Sequence, residues 1–504
     1  MNSRRKSASG TGQSQPLRAS SRTRKKPDAS LYEAFMALMR KSWRTSFPQE
    51  RSFIRLVDIM TSILAGVGRR TIAGAIEFRG KDQESWTADY RVFSKSPWEP
   101  ENLFRGVLEA SIPYLPVDRP VVLALDDTSL DRTSERIEGT RWCHDPLGPK
   151  FLDLNLKWAI PMLHAALLLP PGASKRPTAI TVAFEPILGR ARKKNRGGKR
   201  GRPAKVAGTQ TVVIPPPTAS IAAIKTPPIS TELAVEIIRR IRNWLDDFGI
   251  QRKLIVVVDS SYCNRTVISG LPDRTELVGR TRIDAGLTQP LAVKCGKRIY
   301  GNSIPTPKEI GESPLFPEFK DTFVLGCDDY PVRYKEVNPV LWKNGTKARL
   351  MRLLVLQPIR HGPKGKRGYS RPGYLFTTDL GESAHTLIQA YLCRWEIEVL
   401  HRILKSDVGI SQTQCRKASA KIYAAISAAY ALFTLASRQV TGEMRSAMHH
   451  QLSKWQQNHR KWRENKRRME GRPIPVYRAT VRDNVTLLRK SLGLRWMDGV
   501  SRRR

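Results

Sequence analysis

The chain has few cysteines, and none of them are grouped. Its six (Cys143, Cys263, Cys295, Cys327, Cys393 and Cys415) are scattered, with no Cys-x-x-Cys. That spacing speaks against a zinc site and against a disulfide framework, and it fits a reducing compartment. Long apolar runs are also missing. The longest stretches, near 158–170 and 424–436, fall short of the roughly 20 residues that cross a bilayer. Residues 1–30 contain no apolar stretch of the kind a secretory signal carries. There is no basic amphipathic helix beside a lipidation signal, and no internal repeat. These absences set the expectation of a soluble cytoplasmic protein with no membrane partner. The scarcest class is acidic: 45 Asp and Glu stand against 87 Lys and Arg, a formal charge of +42. Such a surplus repels itself unless a polyanion is the partner. Nucleic acid is the leading candidate.

What the chain does contain is enough for real cores, with 40% hydrophobic residues over 504 positions. Residues 1–30 read as a disordered basic arm. Residues 31–115 carry a helical pattern and form a candidate helical DNA-binding domain. Arg69, Arg70, Arg79 and Arg91 there suit either DNA contact or a solvated face. From 116 to 282 the texture is α/β. Val-Val-Leu-Ala-Leu at 121–125 reads as a buried strand ending in Asp126 and Asp127. Strand-like runs follow near 158–169 and 178–184, then a basic, Gly- and Pro-rich loop at 190–230. Residues 232–248 predict a helix capped by Ser230 or Thr231. A second buried strand, Leu-Ile-Val-Val-Val at 254–258, ends in Asp259, and 277–282 reads as another. Residues 283–378 read as a β-rich insertion. Residues 379–440 return to helix, and 441–504 form a basic C-terminal region.

The densest chemistry lies at 391–405, Tyr-Leu-Cys-Arg-Trp-Glu-Ile-Glu-Val-Leu-His-Arg-Ile-Leu-Lys. On an ideal α-helix Tyr391, Arg394, Glu398 and Lys405 share an arc of roughly 60°. Arg402 lies on the same face, and Glu396 points roughly 160° away from Glu398. Cys393, Ile397, Leu400 and Leu404 make an apolar stripe on another side. A carboxylate flanked by cations can hold a divalent metal and a phosphate. An ordinary amphipathic helix with a solvated face would look the same. Two strands ending in aspartate tip the balance, because functional groups collect at the carboxyl ends of strands in α/β sheets. Asp126, Asp259 and Glu398 are thus expected to converge on two Mg²⁺ ions, with Mn²⁺ as a substitute. Ions about 4 Å apart activate an attacking hydroxyl and stabilise a leaving oxygen. Taken singly, each aspartate reads better as a turn or cap residue after a strand.

These residues resemble the bacterial insertion-sequence DDE transposases of the group marked by Tyr-x2-Arg-x3-Glu-x6-Lys, which Tyr391, Arg394, Glu398 and Lys405 fit without a gap. Asp126-Asp-Thr128 resembles the group's first aspartate motif and Val258-Asp259 its second. The resemblance covers roughly residues 31–440. It implies an RNase H-like core, a mixed sheet flanked by helices, with Asp126 on the first strand and Asp259 on the fourth. It also implies that Asp126 bridges both metals while Asp259 and Glu398 each complete one site. Tyr391, Arg394 and Lys405 would hold phosphates at the transposon end, with Arg402 adding to them. The expected activity is hydrolysis at terminal inverted repeats followed by strand transfer into target DNA, with a dimer formed on DNA. Some relatives stack a flipped base on an aromatic in the insertion, where Trp342 lies; core packing is the alternative role for it.

Two further features point to DNA. Arg200-Gly-Arg202-Pro resembles an AT-hook, narrow enough for an A·T-rich minor groove, though a flexible charged loop would read alike. The run 454–472 interleaves basic residues with Trp455 and Trp462. Two rival readings stand against the transposase: a non-enzymatic basic DNA-binding protein derived from one, and an RNA-binding protein. No aromatic-rich strand of an RNA-binding sheet supports the latter.

Overall fold

Pro120 ends one kind of packing and starts another. Before it, among the described residues, lie five α-helices: α1 (Leu31–Trp43), α2 (Glu50–Ala65), α3 (Ile72–Phe78), α4 (Thr87–Ser94) and α5 (Pro100–Ser111). After it the chain alternates: β1 (Val121–Asp131), β2 (Arg141–His144), β3 (Leu156–Leu169), β4 (Thr178–Pro186), α6 (Ser230–Asp247), β5 (Leu254–Val258), α7 (Arg265–Gly270) and β6 (Thr275–Arg280). A β-rich stretch follows with β7 (Leu287–Cys295), β8 (Arg298–Ile304), α8 (Pro307–Glu312), β9 (Glu318–Leu325), β10 (Asp328–Trp342), β11 (Met351–Leu356), β12 (Arg360–His361), β13 (Gly368–Tyr369) and β14 (Gly373–Thr377). Three α-helices close the described residues: α9 (Ala384–Cys393), α10 (Trp395–Arg402) and α11 (Ser419–Gln439). This computed structural model describes residues 31–439, apart from 67, 84, 146–147, 149–154, 172–176, 189–228, 296–297, 326–327, 344, 347–348, 359, 362–367 and 370.

The centre of the molecule is a mixed sheet. β1, β3 and β4 run antiparallel in sequence, while β1, β5 and β6 are parallel neighbours. Strand β5 is buried at all five positions, as a strand covered on both faces must be. Helix α6 packs on β3, whereas α9 packs on β5 and β6, and α10 on β1 and β4. A mixed sheet flanked by helices in this way is compatible with an RNase H-like fold. Asp259 follows the fifth strand in chain order rather than the fourth, because the four-residue β2 intervenes. The strands after β6 continue the same sheet: β14 pairs with β6, β11 with β14 and β10 with β11.

Two elements differ from the sequence reading. The strand at 121–125 does not stop at its aspartates. β1 continues to Asp131, held by β3 alone after its pairing with β5 ends at Leu125. Helix α6 starts at Ser230, with neither Ser230 nor Thr231 as its cap; Ile229 is the N-cap, and the Glu232 carboxylate accepts its backbone N–H at 3.2 Å.

Helix α11 is long and apolar enough to cross a membrane by length and composition, yet 83% of its apolar window is buried inside the protein. Helices α1, α2 and α5 wrap it, and it lies on β4. Its apolar surface is therefore core.

Candidate active site

The site is built by strand register. β1 and β5 are parallel, with Leu125 opposite Val258 as the last pair. The next residue on each strand is an aspartate, so Asp126 and Asp259 leave neighbouring strands at equivalent positions, about 4.8 Å apart in backbone. Beyond Val258 the chain turns sharply. Asp259 accepts the Ser261 N–H at 3.0 Å through Oδ1 and the Ser261 hydroxyl at 3.1 Å through Oδ2. Gly279, opposite Val258 on β6, makes room for this turn: a Cβ there would come within 2.7 Å of the Cys263 Cβ. The turn role and the site role thus coexist in Asp259, since a carboxylate has about four acceptor positions.

Helix α10 brings the third acid. Arg394 donates to Glu398 Oε1 at 2.8 Å and stands 3.5 Å from Asp126 Oδ2, so one guanidinium lies between two acids. It also lies 5.9 Å from the Tyr391 ring centre. Tyr391, Arg394, Glu398, Asp126 and Asp259 are therefore brought into one neighbourhood. Burial pushes the Asp126 carboxyl up, and Asp259, Asp127 and Glu398 repel its charge; Arg394 offsets only part of this, leaving the group at about 7. The next residue, Asp127, is also raised, by desolvation of its carboxyl and by Asp259. Burial opposes the charge on Arg394, but Tyr391, Asp126 and Glu398 together raise its pKa.

A uniform helical period fails at both ends of α10. At Arg394 the turn tightens, with its N–H donating to Tyr391 O at 3.0 Å, three residues back. At 403–407 the helix widens into a π-turn, with Val408 donating to Ile403 O five residues back. Lys405 is carried toward the end of β1. Burial and the nearby Lys157 lower its pKa, and Asp131 partly restores it. Arg402 is exposed. Glu396, expected on the far side from Glu398, is buried, and its charge reaches Cys393. Ile397, Leu400 and Leu404 do form the buried stripe.

Elsewhere the arginines singled out near 70 are partly structural. Arg70 donates to the α2 carbonyls of Ile63 and Leu64, and Arg79 pairs with Asp89 at 3.1 Å. Trp342 packs its ring 5.1 Å from that of Phe376 and is half-buried, a core role. Arg200, Arg202, the loop 190–228, the arm 1–30 and the basic region 441–504 lie outside the described residues.

Three residues escaped the sequence reading. Arg280 ends β6, is exposed, and its charge reaches Tyr391. A cation closing the third parallel strand was the available signal. His164 and His401 lie buried beneath the acids and had no signal, since cross-strand register is not readable from β3 alone.

The donor set suits a hard divalent cation. All three candidate ligands are carboxylates, and the elevated Asp126 marks a cluster short of positive charge. Among the described residues no three acids close around one point as tightly as a bound metal requires. Arg394 occupies the space between two of them.

The family described as DDE superfamily endonuclease matches residues 44–348, more than half of the chain. The matched stretch contains Asp126 and Asp259 and stops before Glu398. No curated protein matches the chain.

Proposed function

The chain belongs to the DDE superfamily endonucleases, and from that premise we propose that it is a DNA transposase, cutting at the ends of a mobile element and joining them to target DNA. One observation carries the reading: parallel register sets Asp126 and Asp259 side by side, and α10 docks Glu398 onto Asp126 through Arg394. The charge of +42 supports a duplex DNA partner.

Asp126, Asp259 and Glu398 would hold the divalent cations, Mg²⁺ by hardness, with two ions as the expected number. Bound there, the cations supply a deprotonated attacking hydroxyl and charge stabilisation at the leaving oxygen. The protein's own residues do the rest. Arg394 has fork geometry for a phosphate, and its present partners are the acids it would release to the cations. Tyr391 and Arg280 flank it on the strand-end side. Lys405 and Lys157 extend the cationic track toward the end of β1, where DNA beyond the scissile bond would lie. The helices at 31–115, the basic loop with Arg200 and Arg202, and the region 441–504 are assigned to DNA contact on charge alone. Residues 283–378 are assigned as the insertion of the transposase group marked by the Tyr391, Arg394, Glu398 and Lys405 spacing. Assembly on DNA would be a dimer, one protomer per end.

The test is nicking of a plasmid that carries the element's flanking repeats. Metal-dependent cleavage by the wild type, lost in Asp259→Ala with DNA binding retained, is the expected result. Equal products from both proteins would favour the non-enzymatic DNA-binding reading.

A further inference from the structure

Two histidines lie behind the acids. β1–β3 register sets His164 directly opposite Asp126. Opposed residues of an antiparallel pair project from the same face. His401 lies on α10, one turn past Glu398. The two imidazole rings meet with centres 5.0 Å apart, tilted 34°. His164 is fully buried and His401 is 8% exposed. Thr181 holds one end of His164, at 3.0 Å from Nε2, and Phe184 packs edge-on against its ring at 5.0 Å.

The other ends are unsatisfied. His164 Nδ1 and His401 Nε2 are buried with no hydrogen-bond partner. Each orphan costs about 1–3 kcal/mol. A pair of phenylalanines would fill the same space without that penalty. Native proteins leave few such atoms, and each calls for a partner: a water, an ion or a group that moves. Both rings are held neutral: burial and the facing ring push His164 down, while burial, Lys405 and Arg394 push His401 down to about 3. Each neutral ring keeps one N–H donor and one acceptor.

The groups around the pair narrow the choice of partner. Arg394 and Lys405, both cations, face His401. They make the pocket hostile to a metal of its own. The acceptors carried by the same elements are the carboxylates of Asp126, opposite His164 across the β1–β3 ladder, and Glu398, one turn before His401; both now pair with Arg394. We propose that His401, braced by His164, is a positioning residue whose unpaired nitrogen supports the Asp126–Glu398 carboxylates once a divalent cation, rather than Arg394, neutralises them. The ring contact ties α10 to β3, so it also sets how closely Glu398 approaches Asp126. Supports of this kind behind metal-binding groups typically change metal affinity by about 10–100-fold. The proposal rests on the reading of Asp126, Asp259 and Glu398 as the cation ligands.

The experiment is Mn²⁺ titration of the DNA-free protein by calorimetry, paired with thermal melts without metal. His401→Phe keeps the ring and removes both nitrogens. It is expected to weaken Mn²⁺ binding about 10–100-fold while its metal-free Tm stays level or rises, because a buried orphan is gone. His401→Gln, which keeps a donor, should recover most of that loss. Wild-type Mn²⁺ affinity in His401→Phe would overturn the proposal, as would equal weakening in the Phe and Gln variants. A wild-type protein that binds no Mn²⁺ at this site and cleaves no DNA would instead sink the transposase reading beneath it.

Discussion

Asp126→Asn is expected to lose strand cleavage altogether and, above pH 7, to melt at a higher temperature than the wild type without metal. Both effects have one cause. Asp126 sits at a buried strand position beside three other acids, and its carboxyl is pushed up to about 7 from an ordinary value of 3.8. The folded state thus holds this proton more tightly than the unfolded chain. That contribution to stability is complete below about pH 4 and is lost as pH climbs through 7. Asparagine carries no charge to lose. The gain in Tm should therefore be absent at pH 4 and full at pH 8, at about 2–4 °C for each kcal/mol relieved. Melts at the two pH values, without divalent ions, measure it. The same proton must leave before the carboxylate can ligate. Divalent affinity of the wild type should then fall by up to about tenfold per pH unit below 7. A Tm difference that ignores pH would mean that Asp126 is not strained in the way the packing implies.

Arg394→Ala is expected to separate metal binding from catalysis. Arg394 is the counter-charge between Asp126 and Glu398 in the metal-free protein. Its removal leaves a more negative cluster, and an incoming cation has no guanidinium to displace. At pH 8 and above, Mn²⁺ affinity should rise. Cleavage should nonetheless fall by about 10²–10³-fold, the usual cost of losing one fixed donor to a reacting oxyanion. Below pH 7 the balance reverses: without Arg394 the Asp126 proton is held still more tightly and competes better with the metal. Calorimetry and single-turnover cleavage on the same preparation check both halves. If metal affinity and cleavage fell together at pH 8, Arg394 would be a scaffold for the acids rather than a group destined for phosphate.

The legible and illegible parts of the site divide along a physical line. Asp126 and Asp259 could be found because each follows an uninterrupted apolar run, and burial on both faces of a parallel pair leaves that local mark. Their mutual register depends on which strands pair, yet two runs that each end in aspartate were enough to place them together. Glu398 and Arg394 could be found because i,i+4 spacing survives small changes in helical twist. The position of Lys405 was less legible, because seven residues of assumed regular helix accumulate any irregularity, and a π-turn covers 403–407. Glu396 was read only by direction, as pointing away from Glu398, and direction along a helix does not say what packs there; it is buried. The length of β1 beyond Leu125, as far as Asp131, was missed because polar residues in a strand lack the apolar signature, and only β3 holds them. His164 and His401, 237 positions apart in number, meet through sheet register and helix docking together, and neither leaves a trace in local pattern.

The central claim is that Asp126, Asp259 and Glu398 hold the catalytic cations. Crystals grown with Mn²⁺ and end DNA, measured at the manganese absorption edge, test it most directly. The account predicts anomalous density within about 2.0–2.2 Å of oxygens from all three side chains, with Arg394 turned from the acids toward a phosphate. Manganese bound elsewhere, with Arg394 still bridging Asp126 and Glu398 beside a positioned scissile phosphate, would contradict it.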